Sequence, residues 1–240
     1  TMNNNNNSQA SGNGSQAREM IKGFTLEDFL KVLAGPQKIL VVTGAGISTG
    51  CGIPDFRSAN GLYKIVEEMD LDVPQPECVL DLEYFLADPQ AYYAVAPYLQ
   101  VPEGTKPSLM HRWLGELDRR KKLLRNYTQN IDGLELRAGV RRVVQCHGTL
   151  ATASCLSCKA RYGEAEVRAI QGQHGPTSVP ACPKCGPEKG ALKPDIVMFG
   201  EDHPILGYHT QYRLHLVMMH ITAFVPTLAN SPGAILLVYR

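Results

Sequence analysis

Charge of one sign is in short supply. Lysine and arginine number 24 against 23 aspartates and glutamates, a net charge of +1 over 240 residues. Affinity for a phosphate backbone needs a concentrated excess of cations, so this balance argues against direct nucleic-acid binding. Aromatic residues make up 7% of the chain with a single tryptophan, and no basic face interleaved with them can be traced. No stretch approaches the roughly 20 uninterrupted apolar residues of a membrane span. The longest apolar runs are short, such as Ile39-Leu40-Val41-Val42, and read as strands. The N-terminal segment has neither the positive start nor the apolar stretch of a secretory signal, and its one arginine, Arg18, is too few for a transit peptide. With 44% hydrophobic and 20% charged residues, the composition is that of a soluble globular protein with a sizeable core.

Residues 1–22 open with Asn3 to Asn7 and continue through serine, glycine and glutamine, so they have little apolar surface to bury and are expected to be disordered. Thr1 stands before Met2, as in a fragment of a longer chain. Seven cysteines, an odd number, with no visible signal peptide make a disulfide framework a poor reading. Four of them form Cys155-Leu156-Ser157-Cys158 and Cys182-Pro183-Lys184-Cys185, with 23 residues between the pairs. Each such turn aims two sulfurs at one point, and two turns complete a tetrahedral thiolate shell. Four thiolates leave no open position, so the expected zinc is structural. It should hold together residues 151–190, a segment rich in glycine, proline and charge with little core of its own. The remainder, 23–150 and 191–240, is expected to form one Rossmann-like domain around this module.

Four segments read as strands that end in polar or glycine residues. Lys38–Thr43 runs into Gly44-Ala45-Gly46-Ile47-Ser48, Leu123–Thr128 into Gln129-Asn130-Ile131-Asp132-Gly133, Arg142–Cys146 into His147-Gly148, and Asp195–Phe199 into Gly200-Glu201. Glycines after a strand let backbone N–H groups approach a pyrophosphate closely. The Gly44-x-Gly46-x-x-x-Gly50 spacing is one residue longer than the usual dinucleotide pattern, and on its own is equally a plain strand-to-helix turn. Ligands of an open parallel sheet sit beyond the carboxyl ends of its strands, so four such ends predict one shared cleft. Ser108 reads as a helix N-cap, with Leu109, Met110, Trp113, Leu114 and Leu117 on the core face and His111 at or near the helix surface in a structural role. Alternating strands and helices give a doubly wound α/β fold with a small four-cysteine zinc module inserted late.

Taken in order, Gly44-Ala45-Gly46-Ile47-Ser48, Gly52-Ile53-Pro54-Asp55-Phe56-Arg57-Ser58, Tyr127-Thr128-Gln129-Asn130-Ile131-Asp132, His147-Gly148 and the two cysteine pairs resemble the sirtuins, NAD-dependent protein-lysine deacylases. The resemblance runs from Gly23 to about Pro204. Within the family, Arg125–Asp132, Gln145–Gly148 and Ala151–Cys155 look most like the nuclear, silencing-type branch that acts on histones and transcription factors. It implies that NAD is consumed: the acetyl-lysine oxygen attacks the ribose carbon as nicotinamide leaves, and a base then activates a ribose hydroxyl. An imidazole suits that role because its unperturbed pKa lies near operating pH.

The resemblance assigns the base to His147, with Asn130 as its catalytic companion. It implies that Gly44, Ala45, Gly46 and Ser48 cradle phosphate and ribose. Asp55, Phe56 and Arg57 would form a cofactor loop in which Phe56 shields the reactive ribose face, and Gln129, Asn130 and Asp132 would line the nicotinamide and ribose pocket. Val197, Phe199, Gly200 and Glu201 match the segment that pairs with an acetylated peptide as an added strand. Acid-selective relatives carry a tyrosine and an arginine three apart after the cofactor loop. No arginine lies between Leu62 and Pro107, which favours neutral acyl groups, acetyl first.

After Glu201 the family's Gly-Thr-Ser or Gly-Ser-Ser turn and its later asparagine find no counterpart, although Ala234–Val238 reads as a strand. The expectation is an incomplete adenosine side, weakened NAD binding and an uncovered sheet edge. Two further outcomes stand beside deacetylation: mono-ADP-ribosyl transfer in the same site, and a catalytically impaired scaffold that binds acetyl-lysine on chromatin. Reduced thiols and the branch resemblance point to the nucleus, with cytoplasm and mitochondrion as other compartments.

Overall fold

Lys38–Thr43 places five buried side chains in succession, Ile39 to Thr43, and a strand covered on both faces belongs inside a layered α/β sheet. The computed structural model describes residues 26–36, 38–172, 175–188, 190–202 and 234–239. The disorder expected for residues 1–22 lies outside them, as does most of the 205–240 segment.

Helix α1 (Leu26–Ala34) leads into β1 (Lys38–Thr43). A long excursion follows through α2 (Leu62–Glu68), α3 (Leu82–Ala87), α4 (Pro89–Leu99) and α5 (Leu109–Arg119) before β2 (Leu123–Thr128). A short α6 (Leu134–Arg137) precedes β3 (Val143–Gln145). These three strands pair parallel, in the order β3-β2-β1, as expected. β7 (Ala234–Tyr239) confirms a strand at the end of the chain, but it lies beside β1 antiparallel, so the four-stranded sheet is mixed. An antiparallel edge on an otherwise parallel sheet is a common arrangement.

Ile39 and Val41 pack on Leu114 and Leu117 of α5 on one side of the sheet, and Leu40 and Val42 meet Tyr127 and Cys146 on the other. The helices between β1 and β2 build their own core around Phe85, Tyr92 and Tyr93, whose rings meet edge-on or tilted at 5.0–6.2 Å. Asp81 and Asp88 cap α3 and α4 by accepting from Tyr84 N–H and Gln90 N–H, and Pro89 occupies the start of α4, where its missing donor costs nothing.

A second sheet holds β4 (Gly148–Cys155), β5 (Arg161–Gly163) and β6 (Leu192–Ile196), all antiparallel in the order β5-β4-β6, with α7 (Glu164–Gln171) beside it. This sheet begins before residue 151 and ends after residue 190, so the small module takes strand from both of its expected flanks. The sequence reading of Asp195–Phe199 as a fourth parallel strand is corrected here. β6 stops at Ile196 and pairs with β4 instead, because Ala153, Ser154 and Cys155 offer it a partner in register with Pro194, Lys193 and Leu192.

Two further corrections concern α5. His111 is fully buried and Leu109 is 76% exposed, the reverse of the expected faces. The cause is the cap: Ser108 N–H donates to His111 Nδ1 (3.2 Å) and Ser108 Oγ lies 2.8 Å from the same nitrogen, which turns the imidazole inward and leaves Leu109 on the outer first turn.

Candidate functional site

The tips of β1, β2 and β3 converge. Gln129 N–H donates to Thr43 O (2.9 Å), and Cys146 N–H to Thr128 O (2.8 Å), so the three polar ends leave the sheet side by side. From β2, Asn130 is 8% exposed and its Nδ2 donates to Gly44 O and to Ser48 Oγ, both at 3.1 Å. Ser48 Oγ in turn donates to Asp132 Oδ2 at 2.7 Å. Asp132 Oδ1 receives Leu134 N–H (2.8 Å), which starts α6. The glycine turn after β1 and the polar turn after β2 are therefore one hydrogen-bonded unit, with Gly44, Ala45, Gly46 and Ser48 forming one wall.

His147 joins this unit: its Nδ1 lies 2.9 Å from Gln129 O, the residue beside Asn130. Its own carbonyl accepts from Val197 N–H (2.9 Å), which brings the Val197–Glu201 segment to the same place although β6 belongs to the other sheet. Gly148 makes that junction possible. Its φ is +75°, and a Cβ there would stand 2.1 Å from Asp195 O, so only glycine lets β6 pass.

A small cavity of about 40 Å³ lies between Ala45, Ser48, Ile53, Phe56, Gln129, Asn130 and Asp132, with Pro54, Tyr98, Leu99 and Ile131 completing it. Phe56 is half-buried against the helical core, its ring 6.0 Å from that of Tyr63, and the Arg57 guanidinium sits 5.8 Å over the Tyr63 ring. Asp55 ties the loop by accepting Ser58 N–H (3.1 Å). Of the expected site residues, Gly44, Ala45, Ser48, Gln129, Asn130, Asp132 and His147 are brought together directly, and Gly46 lies in the same turn with its carbonyl accepting from Thr49 Oγ1. Asp55, Phe56 and Arg57 lie along one rim, with Phe56 in the wall. Phe199, Gly200 and Glu201 are reached through Val197.

Sequence reasoning missed a buried polar layer behind this wall. Asn126 Nδ2 donates to Thr43 Oγ1 (3.1 Å), and Thr43 Oγ1 donates to Glu135 Oε1 (3.1 Å); all three residues are at most 1% exposed. Burial pushes the Glu135 carboxyl up from its usual range. His111, Asp132 and Glu135 face one another with their ligand atoms within 4.8 Å, and burial pulls the His111 imidazole below its usual value while Asp132 acts to raise it. The signal was present: threonine and asparagine inside strands that are otherwise apolar need partners.

Cys155, Cys158, Cys182 and Cys185 gather with their sulfurs mutually within 4.8 Å, Cys158 Sγ standing 3.7 Å from Cys182 Sγ and Cys155 Sγ 3.8 Å from Cys185 Sγ. Cys158 N–H points at Cys155 Sγ (3.4 Å), and the Tyr162 hydroxyl lies 3.1 Å from Cys182 Sγ, both hydrogen bonds suited to thiolate ligands. This donor set fits a tetrahedral metal. The remaining thiols Cys51, Cys78 and Cys146 stand apart from it, and burial pushes Cys146 up to about 11, away from thiolate chemistry.

A profile of the Sir2 family matches residues 44–227, beyond Pro204 where the resemblance was read to end. The chain is 45% identical over 182 residues to the NAD-dependent protein deacetylase sirtuin-1 of Homo sapiens, covering 75% of this chain and 24% of that protein. It is 41% identical over 208 residues to the NAD-dependent histone deacetylase sirtuin-1 of Drosophila melanogaster, covering 78% and 24%. The chain thus spans roughly a quarter of the length of these curated relatives. Among solved structures, Sir2 with a deacetylated p53 peptide and 3'-O-acetyl ADP ribose gives a TM-score of 0.63 at 31% identity over 83% of this chain and 73% of that one. Sir2Tm bound to a propionylated peptide gives 0.58 at 29% identity over 83% and 72%.

Proposed function

The chain belongs to the Sir2 family, and from that premise we propose that it is an NAD-dependent protein-lysine deacetylase acting on acetylated histones or other nuclear proteins. The observation that carries the proposal is His147 held at the carbonyl of Gln129, one residue from an Asn130–Ser48–Asp132 chain that closes on the glycine turn of β1. NAD, bound there, would supply an electrophilic ribose carbon and carry the acetyl group away.

Each residue has its own share of the work. Gln129 O can only accept, so the Nδ1 of His147 carries the ring hydrogen and Nε2 has the lone pair that would take a proton from a ribose hydroxyl. Asn130 spends its amide hydrogens on Gly44 O and Ser48 Oγ, so it fixes the turn and presents its carbonyl oxygen to the pocket. Asp132 and Gln129 offer polar edges to the nicotinamide amide, and Gly44, Ala45, Gly46 and Ser48 border the phosphates and ribose. Phe56, with Asp55 and Arg57 anchoring its loop, excludes water from the reacting face. Val197, Phe199, Gly200 and Glu201 receive the acetylated peptide as an added strand. Zinc held by Cys155, Cys158, Cys182 and Cys185 would keep β4 and β5 in place and take no part in the chemistry. A nuclear location accords with the histone deacetylases among the relatives.

Turnover of an acetyl-lysine peptide with and without NAD tests the reading. NAD-dependent release of nicotinamide is expected, with His147→Ala lowering kcat by about 10²–10⁴-fold, the usual contribution of a general base. Turnover that survives the substitution refutes the role of His147, and absence of turnover in the parent chain refutes the activity, leaving the acetyl-lysine scaffold as the function.

A further inference from the structure

Lys193 is the second residue of β6 and only 8% exposed. Its ammonium group is fully engaged: Nζ donates to Pro194 O (3.2 Å) and Ile196 O (2.8 Å), and lies 2.8 Å from Glu201 Oε2. That same carboxylate oxygen accepts Met198 N–H (3.0 Å), and Glu201 N–H donates to Met198 O (3.1 Å). Gly200 completes the reversal with φ at +77°. The Met198–Glu201 turn is thus closed on itself and stapled to β6 by one ion pair, in which the lysine is buried and the carboxylate half-buried.

What this turn touches matters more than the turn itself. On one side Val197 N–H holds the carbonyl of His147. On the other, Phe199 N–H donates to Leu80 O and Phe199 O accepts Leu82 N–H, both at 2.9 Å, while the Phe199 side chain remains 49% exposed. The five residues Val197–Glu201 therefore span from the candidate base to the helical lobe, with one apolar side chain open to a partner.

Burying a cation on β6 is costly, and an apolar side chain of similar size would fill the space without desolvating a charge. The return on such a pair is geometric: it fixes one arrangement among several that packing alone would permit. We propose that Lys193 is a positioning residue for the acylated peptide, which through Glu201 fixes the Met198–Glu201 turn so that the exposed Phe199 side chain meets the incoming peptide in a single place beside His147. This rests on the peptide-binding role assigned above to Val197–Glu201.

The experiment uses the whole chain with NAD and an acetyl-lysine peptide. Lys193→Met is expected to raise the peptide KM by about 10- to 100-fold, the cost of leaving Ile196 O and the Glu201 carboxylate without their donor, felt as weaker peptide binding. The KM for NAD and the kcat at saturating peptide should stay within about twofold, and Lys193→Arg should recover most of the peptide KM. Lys193→Gln removes the charge while keeping a hydrogen-bond donor, should raise the peptide KM in the same direction, and carries the test if Lys193→Met does not fold. Unchanged peptide KM in both variants overturns the proposal, as do equal rises for NAD and peptide, which mark a general structural role. If the parent chain does not turn over, the proposed activity fails separately; the same ranking of variants is then read from fluorescence anisotropy of the labelled peptide, and no binding by the parent chain overturns the positioning role as well.

Discussion

The two sheets are stabilised in opposite ways. β1 buries Ile39 and Val41 on one face and Leu40 and Val42 on the other, against Leu114, Leu117, Leu123, Tyr127 and Val140. At about 25 cal/mol per Å² of apolar surface, that burial is the main stabilising contribution to the sheet. The small sheet buries Ala153, Cys155, Tyr162, Cys182 and Leu192, and two of those five are thiols of the cysteine cluster. Where packing is abundant, strand tips are free to carry polar residues for chemistry. Where it is scarce, two of the side chains that complete the core belong to the cysteine cluster whose sulfurs gather within reach of one metal ion.

The largest effect follows from that contrast. Removing the proposed zinc with a chelator, or substituting Cys182→Ser, should unfold β5 and α7 while leaving β1 and β2 folded, since structural zinc contributes on the order of 10 kcal/mol in small domains. Hydrogen exchange would show amides of 161–171 losing protection and those of 123–128 keeping it; simultaneous loss in both would end the distinction. Gly148→Ala attacks the seam instead. Its Cβ would press on Asp195 O from a left-handed backbone, so a loss of about 2–5 kcal/mol in urea unfolding is expected. An unaffected variant would show that β6 does not pass so close to His147.

The smallest effect concerns the buried layer of the main sheet. Burial lowers His111 from its ordinary 6.5, so the unfolded chain takes up a proton there first as pH falls. Its stabilising contribution is complete above pH 6.5 and is lost below it, toward the lowered folded value. Glu135 has the opposite sign: burial raises its carboxyl, so its contribution fades as pH rises above 4.5. The Tm difference between the parent chain and His111→Gln should therefore shrink between about pH 7.5 and about pH 5.5, the range that brackets an ordinary imidazole. A difference that stays flat would place the imidazole in solvent.

How much of this was legible in residues alone follows the same division. Lys38–Thr43 is apolar enough to announce its strand, and paired cysteines announce their cluster by spacing. Gln129, Asn130 and His147 follow strands directly, so the convergence of their tips was readable. Asp195–Phe199 was misplaced because a buried strand has the same apolar pattern whichever sheet receives it; the choice lay with β4. The inward turn of His111 depended on a ring nitrogen meeting Ser108, which helical spacing does not encode. Periodicity was likewise silent on the antiparallel approach of β7 to β1, since the direction of a strand leaves no mark on its composition.

The Tyr93 hydroxyl donates to Leu192 O at 2.6 Å, fastening the helical lobe to the small sheet. Burial drives that phenol far above its ordinary 10.0. This rivet consequently ignores the entire range over which imidazoles gain and lose protons. Acidification or mild alkali can alter the charge inside the cleft without breaking this hydrogen bond, so a pH dependence of the proposed activity does not arise from its loss.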